Sequence, residues 1–338
     1  MPDHGGMRGD YQELVDEISA ILGAPATLED RDFELIAFGA HDSEADGVMD
    51  PVRARSILRR RSTAAVRQWF ESFGIARARG PVRIPPEPSA GVLLGRLCLP
   101  ARHRGVVYGY VWLLDDGHLA DIPIGRPGVP ADPRLVQAMR TAARIGSLLA
   151  EEARVGAGLG ELLHSLIAGP RSGRESAREG LRAALGRAGE GPMALVAVLP
   201  WPPDPVEAED GGYGPEETGG VRCAGHEADE TDAAGPRFSE AGSVPALTAV
   251  PGAAAMCAVP GGTGASGDPA EGFPGGTPGP PALAALVRLR TVSSSAPAHT
   301  AAARLLQIPR AQAAAGGISA ARQGLSDLPS AWREAVAA

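Results

Sequence analysis

Two apolar runs, Leu93-Leu94-Gly95-Arg96-Leu97-Cys98-Leu99 and Gly105-Val106-Val107-Tyr108-Gly109-Tyr110-Val111-Trp112-Leu113-Leu114, flank the polar residues Arg102-His103-Arg104. Runs of this length, rich in branched and aromatic side chains and separated by a few polar residues, predict a β-hairpin that turns at Arg102–Arg104. Aromatic residues make up only 4% of the chain. Tyr108, Tyr110 and Trp112 stand at alternate positions, so a strand period of two puts all three on one face. That face is the candidate lining of a small-molecule cavity. The competing reading is that the three side chains simply build the core, because apolar pockets and cores share their lining.

Upstream, Asp10 is placed to cap a helix over Tyr11–Leu22, with Glu13 three residues on and Leu14, Val15, Ile18, Ile21 and Leu22 at helical spacing. Residues 1–10 read as a disordered polar tail. Ala26–Leu28 and Phe33–Phe38 predict two short strands joined by a tight turn at the charged residues Glu29–Asp32. Arg53–Arg61 and Thr63–Phe73 follow as helices, and Gly80–Pro88 is too rich in proline to be helix or strand. The order helix, two strands, helices, two or three strands is similar to that of a small sensory domain of the GAF or PAS type, here spanning 11–125.

Downstream, Asp132 is an N-cap with Pro133 at the first helical position, and Leu135, Ala138, Met139, Ala142, Ile145 and Leu149 recur every three to four residues. This connecting helix occupies 131–168 and falters at Gly156–Gly160. It either couples two domains, pairs with its copy in a dimer, or packs on its own domain. The second region, 169–338, predicts a helix at Glu175–Leu185 and strands at Met193–Leu199 and Leu283–Leu289. A helix at Ala298–Ile308, a short Gly316–Ser319 segment and a helix at Leu328–Ala338 complete it. Between them, Asp204–Pro281 reads as an insertion that is mostly disordered, because residues 204–240 carry 11 acidic side chains against two Arg. The patch Ala246–Val259 is the exception, with Leu247, Val250, Met256 and Val259 able to supply a strand. The fold class expected is α+β, with two domains.

The 32 basic residues are all Arg. A chain without Lys has no Walker A lysine, no kinase strand lysine and no Schiff-base nucleophile. The abundance of Arg, Ala, Gly (45) and Pro (31) is what G+C-rich codons favour. Cys98, Cys223 and Cys257 lie too far apart to form a disulfide framework, residues 1–13 have no apolar leader core, and no run reaches the length of a membrane span. A cytoplasmic protein without membrane contact is expected. Cys223 and His226 have metal-ligand spacing but make only two ligands. Gly156, Gly158 and Gly160, and the stretch Gly261–Gly267, lack the strand and lysine of a phosphate loop. No catalytic residue, metal or cofactor is expected. The stretch Arg53, Arg55, Arg59, Arg60, Arg61 and Arg67 is either a solvated helix face or, with the hairpin behind it, part of a winged helix that binds DNA.

Tyr11–Asp42, Arg104–Asp116 and above all the second region resemble the PucR/CdaR-type transcriptional regulators of actinobacteria. Leu162-Leu163-His164-Ser165-Leu166-Ile167-Ala168-Gly169 is similar to the helix that opens that family's central domain. Gly316-Gly317-Ile318-Ser319, with the segment Leu325–Ala335, is similar to its closing strand and helix. The resemblance covers 15–200 and 282–338. It implies a GAF-like sensor for a small-molecule effector, a GGDEF-like domain that has lost cyclase chemistry, and a homodimer. DNA would be read only by a C-terminal helix-turn-helix, expected beyond Ala338 and absent from this chain. Two other functions remain open from the residues: an N-terminal winged-helix DNA-binding protein, and an enzyme, either a nucleotide cyclase or a hydrolase. A cyclase needs acidic metal ligands beside its Gly-Gly turn, and Gly316-Gly317 meets no carboxylate before Asp327.

Overall fold

The computed structural model describes residues 4–39, 51–115, 117–125, 131–202, 244–260, 280–311, 313–325 and 327–338. They divide into two compact units, one within Met1–Leu159 plus Pro245–Val250, the other within Gly160–Val244 plus Pro251–Ala338. Each unit is built on an antiparallel sheet, so the architecture is α+β. Among the described residues no helix is long and apolar enough to cross a membrane.

The first unit runs α1 (His4–Leu22), β1 (Ala26–Asp30), β2 (Leu35–Phe38), α2 (Pro51–Arg59), α3 (Ala64–Glu71), β3 (Val82–Ile84), β4 (Gly95–His103), β5 (Val106–Asp115) and the start of α4 (Pro133–Ile167). Its strand order is β2-β1-β5-β4-β3. The alternation Leu97, Cys98, Leu99 sorts side chains to opposite faces, as a pleated strand must. On one face Leu14, Val15 and Ile18 of α1 meet Leu135, Ala138, Ala142 and Ile145 of α4 over Leu28, Leu97 and Val111. On the other, Val52 of α2 and Val66 and Phe70 of α3 cover Cys98, Tyr110 and Trp112.

Local chemistry explains the joints. Arg104 (φ 47°) and Gly105 (φ 84°) form a two-residue loop with positive φ at both positions, the turn whose twist matches that of the flanking strands. The turn is therefore tighter than Arg102–Arg104, and Arg102 and His103 belong to β4. Thr63 caps α3 by accepting the Val66 N–H at 3.4 Å. Asp132 caps α4 as expected, its Oδ1 accepting the Arg134 N–H at 2.7 Å.

Several expectations are corrected. The first helix begins at His4, so it includes residues assigned to a tail, and Asp10 lies inside it and cannot cap it. Glu29 and Asp30 are not turn residues but the buried end of β1. The turn comes after them: Asp30 Oδ1 accepts the backbone N–H groups of Asp32 and Glu34 at 2.8 and 2.9 Å, and Phe33, at φ 63°, enters the core. Gly80–Pro88 contains a strand, because Val82–Ile84 pairs with Arg96–Cys98 at the sheet edge, where proline neighbours are tolerated. The helix α4 does not falter at Gly156–Gly160. A side chain at Gly160 would overlap the Met256 carbonyl oxygen, so this glycine allows the backbone of β7 (Ala253–Val259) to approach the helix.

The second unit continues from α4 through α5 (Arg171–Leu185), β6 (Pro192–Leu199), β7, β8 (Ala282–Arg288), α6 (Ala296–Leu306), β9 (Ala315–Ile318), β10 (Arg322–Gln323) and α7 (Leu328–Ala337). Both β9 and β10 pair with β6, which pairs with β8, which pairs with β7, always antiparallel. Met193–Val198 and Ala282–Val287 are buried throughout, which is why these central strands read as unbroken apolar runs. The patch Ala246–Val259 supplies β7, as its apolar residues suggested. Ser319 Oγ accepts the Leu195 N–H at 3.0 Å and donates to the Ala320 carbonyl at 3.0 Å. Glu334 on α7 accepts from the Ala320 N–H at 2.9 Å and from Arg322 Nη2 at 2.7 Å, tying the helix to the bend between β9 and β10. Most of the expected disordered insertion, and with it Cys223, His226 and Gly261–Gly267, lies outside the described residues.

Candidate functional site

The sheet face under α2 and α3 carries a buried carboxyl where an apolar core would be expected. Glu29 is 2% exposed. It alternates with Leu28, which points into the opposite core. Its Oε1 accepts from Ser62 Oγ at 3.0 Å and its Oε2 from the Trp112 indole N–H at 3.0 Å. Ser62, on the link between α2 and α3, is in turn 3.0 Å from Ser56 Oγ on α2. Arg96 on β4, itself buried, donates to the Leu94 and Gly95 carbonyls at 2.9 and 3.0 Å and lends Glu29 a favourable charge.

Burial dominates the electrostatics and pushes the Glu29 carboxyl up to about 7, against the opposing pull of the hydrogen bonds from Ser62, Ser56 and Trp112 and of the Arg96 charge. The neighbouring Cys98 thiol is raised by burial and by Glu29, and Tyr110 is raised chiefly by burial. A cavity of about 20 Å³ lies against this cluster, lined among others by Thr27, Glu29, Arg53, Ser56, Arg96 and Trp112. That is room on the scale of one water molecule, so a larger guest requires α2 to move outward.

The structure separates the three aromatic residues that alternation put together. Tyr110 and Trp112 lie on the α2–α3 face and form a cluster with Phe33 and Phe70, with ring centroids 4.6–5.9 Å apart for Trp112 against Phe70, Tyr110 and Phe33. Tyr108 packs on the opposite core. The cause is a β-bulge: Ala101 pairs with Gly109 but Arg102 pairs with Val107, which leaves Tyr108 without a partner and reverses the facing of the strand beyond it. Of the three, only Trp112 borders the cavity. Glu29, Ser56, Ser62 and Arg96 were not singled out by sequence; the signal available was a carboxylate two residues after Thr27 in a strand-like run.

The arginines of 53–67 are largely engaged within the unit. Arg53 donates to the Gly39 carbonyl at 2.9 Å, Arg60 to that of Leu35 at 3.2 Å and Arg67 to Glu71 at 2.7 Å, while Arg61 lies 3.7 Å from Glu34. Arg67 also stands over the Phe33 ring at 5.2 Å. Arg55 and Arg59 are exposed.

No family model matches the chain, and no curated protein matches it. Among solved structures, the chain is similar to a bacteriophytochrome from the photosynthetic bacterium R. palustris, at 14% identity and a TM-score of 0.26. The match covers 56% of this chain and 45% of that one.

Proposed function

We propose that the first unit is a sensory domain, and that the chain is the sensory and dimerisation part of a PucR/CdaR-type regulator that binds a small-molecule effector without catalysis. The observation that carries this reading is the polar cluster of Glu29, Ser56, Ser62, Arg96 and Trp112. It is buried between a sheet and two short helices, where a core built for stability alone would be apolar. Such groups give a small guest both donors and an acceptor. The effector site so placed is the α2–α3 face beside Trp112.

Two further features support the family reading. The second unit orders its strands fourth, first, third, second, taking β9 and β10 together as the fourth; β8, α6 and β9 make a βαβ unit split by β6, which suits a GGDEF-like domain, and most of the connection from β6 to β7 lies outside the described residues. Gly316 and Gly317 lie within β9, and a side chain on Gly317 would overlap the Ala335 carbonyl oxygen of α7. A role for the Gly-Gly pair in helix packing agrees with a domain that carries no cyclase chemistry. For dimerisation, α4 presents Val136, Leu148 and Val155 to solvent.

The test is a thermal-shift screen of small metabolites on the full chain and on Ser56→Phe, whose ring overfills the cavity and which is first shown by circular dichroism to remain folded. Compounds that raise the Tm of the parent chain and not that of Ser56→Phe support the reading. A broad screen without a binder, or binders indifferent to Ser56→Phe, would overturn it.

A further inference from the structure

We propose that the groove between residues 79–81 and the first turns of α4 is a binding site for a small apolar carboxylic acid, whose anion Arg79 and Arg140 hold. The site goes beyond the effector site read beside Trp112 and is separate from it. The helix α4 covers the sheet face that carries Leu97 and Val111, whereas the Glu29 cluster lies under α2 and α3 on the other.

Helical spacing makes one wall of the groove. Leu135 and Met139 stand four residues apart, and Val136 and Arg140 form a second row beside them, so one face of α4 presents three apolar side chains and a guanidinium together. Opposite, the segment that leads into the edge strand β3 adds Pro81 and Arg79. The hollow holds about 390 Å³ and is open to solvent. That lies within the roughly 300–1,000 Å³ of small-molecule sites, which are mostly apolar with a few polar groups to orient the guest.

Charge decides the class of guest. Among the described residues no carboxylate lines the groove, and neither Arg79 nor Arg140 has a hydrogen-bonded or ion-paired partner. Their neighbours on α4 do: Arg134 lies 3.1 Å from Asp132 and Arg144 lies 3.3 Å from Glu17. The nearby acids are therefore engaged with other arginines. A guanidinium matches a carboxylate through two parallel N–H donors, and an apolar body laid on Leu135 and Met139 leaves water. Phosphate alone would leave the apolar wall uncovered, and an alcohol would leave both cations without a counter-charge.

The experiment titrates the full chain by isothermal calorimetry with octanoate and phenylacetate, and with 1-octanol and inorganic phosphate as probes of the apolar and anionic parts alone. At least one acid should bind with a Kd below about 1 mM, and 1-octanol and phosphate about tenfold more weakly or worse. Arg79→Gln/Arg140→Gln should weaken acid binding about tenfold or more, the loss expected for charge-assisted hydrogen bonds. Both side chains are exposed, so their replacement leaves the fold intact. Ser56→Phe should leave acid binding unchanged. Failure of both acids to bind, equal binding of 1-octanol, or indifference to the double Gln variant would overturn the site. Sedimentation in which the acid splits a dimer would make the groove an interface between copies and would also overturn it. Acid binding lost in Ser56→Phe and kept in the double Gln variant would place the acid beside Trp112, overturning this site while supporting the sensory reading. Acid binding that depends on the two arginines, with no metabolite sensitive to Ser56→Phe, would leave this site standing and overturn the sensory one.

Discussion

The Trp112 indole N–H donates to Glu29 Oε2 across two neighbouring strands, yet Trp112 is in register with Thr27 and Glu29 with Tyr110. The bond therefore runs diagonally over one face of the β1–β5 ladder, a separation that long side chains can span. It satisfies in one contact the only polar atom of a buried indole and one oxygen of a buried carboxyl. The aromatic cluster and the polar cluster are thus one structure, and disturbing either changes the other.

Replacing Trp112 by Phe keeps a ring against Phe70 and removes the donor. The expected cost is about 1–3 kcal/mol, that of leaving a buried acceptor short of a partner, measured by urea unfolding at pH 6. A loss below about 0.5 kcal/mol would mean that another group takes over the Glu29 oxygen.

Stability should depend on pH in the sense opposite to that of a salt-bridged carboxylate. The Glu29 carboxyl has its ordinary value near 4.5 in the unfolded chain and is pushed up to about 7 in the fold, so between these values the folded chain binds more protons than the unfolded one. Its contribution to stability is then fully present below about 4.5 and is lost as pH rises toward 7, on the order of 3 kcal/mol in all. Denaturant titrations of the first unit's transition at pH 5 and pH 8, compared with Glu29→Gln, should show this fall in the parent and a smaller one in the variant, where the Asp30 carboxyl, raised in the same direction by burial, still contributes.

Two glycines on α4 should respond to alanine with opposite signs. A Cβ at Gly146 would lie 2.5 Å from the Arg102 carbonyl oxygen, so Gly146→Ala must lift the helix from β4, at roughly 1–3 kcal/mol. Gly158 has nothing within 4 Å, so Gly158→Ala should stabilise by about 0.5–1 kcal/mol through helix propensity alone. Melting temperatures of the two variants decide it.

Gly317→Ala should destabilise the second unit by at least about 2 kcal/mol, because its side chain meets backbone and not a movable side chain. Limited proteolysis should then cut within 315–338 before it cuts the first unit. Equal resistance in the variant would show that α7 shifts without cost.

Much of the secondary structure was legible because local rules are strong where apolar residues repeat. Leu14, Val15 and Ile18 on α1, and Leu135, Ala138 and Ala142 on α4, are core residues at the spacing that suggested them. The hairpin β4–β5 was legible for the same reason, and its true turn at Arg104–Gly105 differs from the expected one by the choice of which polar residues bend. The site was much less legible. Charge at Glu29 and Asp30 argued for a turn, since a lone strand segment offers no partner for a carboxyl, and alternation argued for Tyr108 beside Tyr110.

The sequence by itself determined where most of the helices and strands lie, which faces of α1 and α4 are apolar, and that this chain carries no Lys for mechanisms that require one. Only the tertiary structure decided that Glu29 is buried, because its partners Ser62 and Trp112 lie 33 and 83 residues away and reach it only when α2–α3 and β5 close over β1. Tertiary pairing likewise turned Tyr108 to the other core, through a bulge that depends on how β5 aligns with β4. Periodicity reports the preferences of one segment, whereas burial of charge and registration of strands are properties of segments that meet.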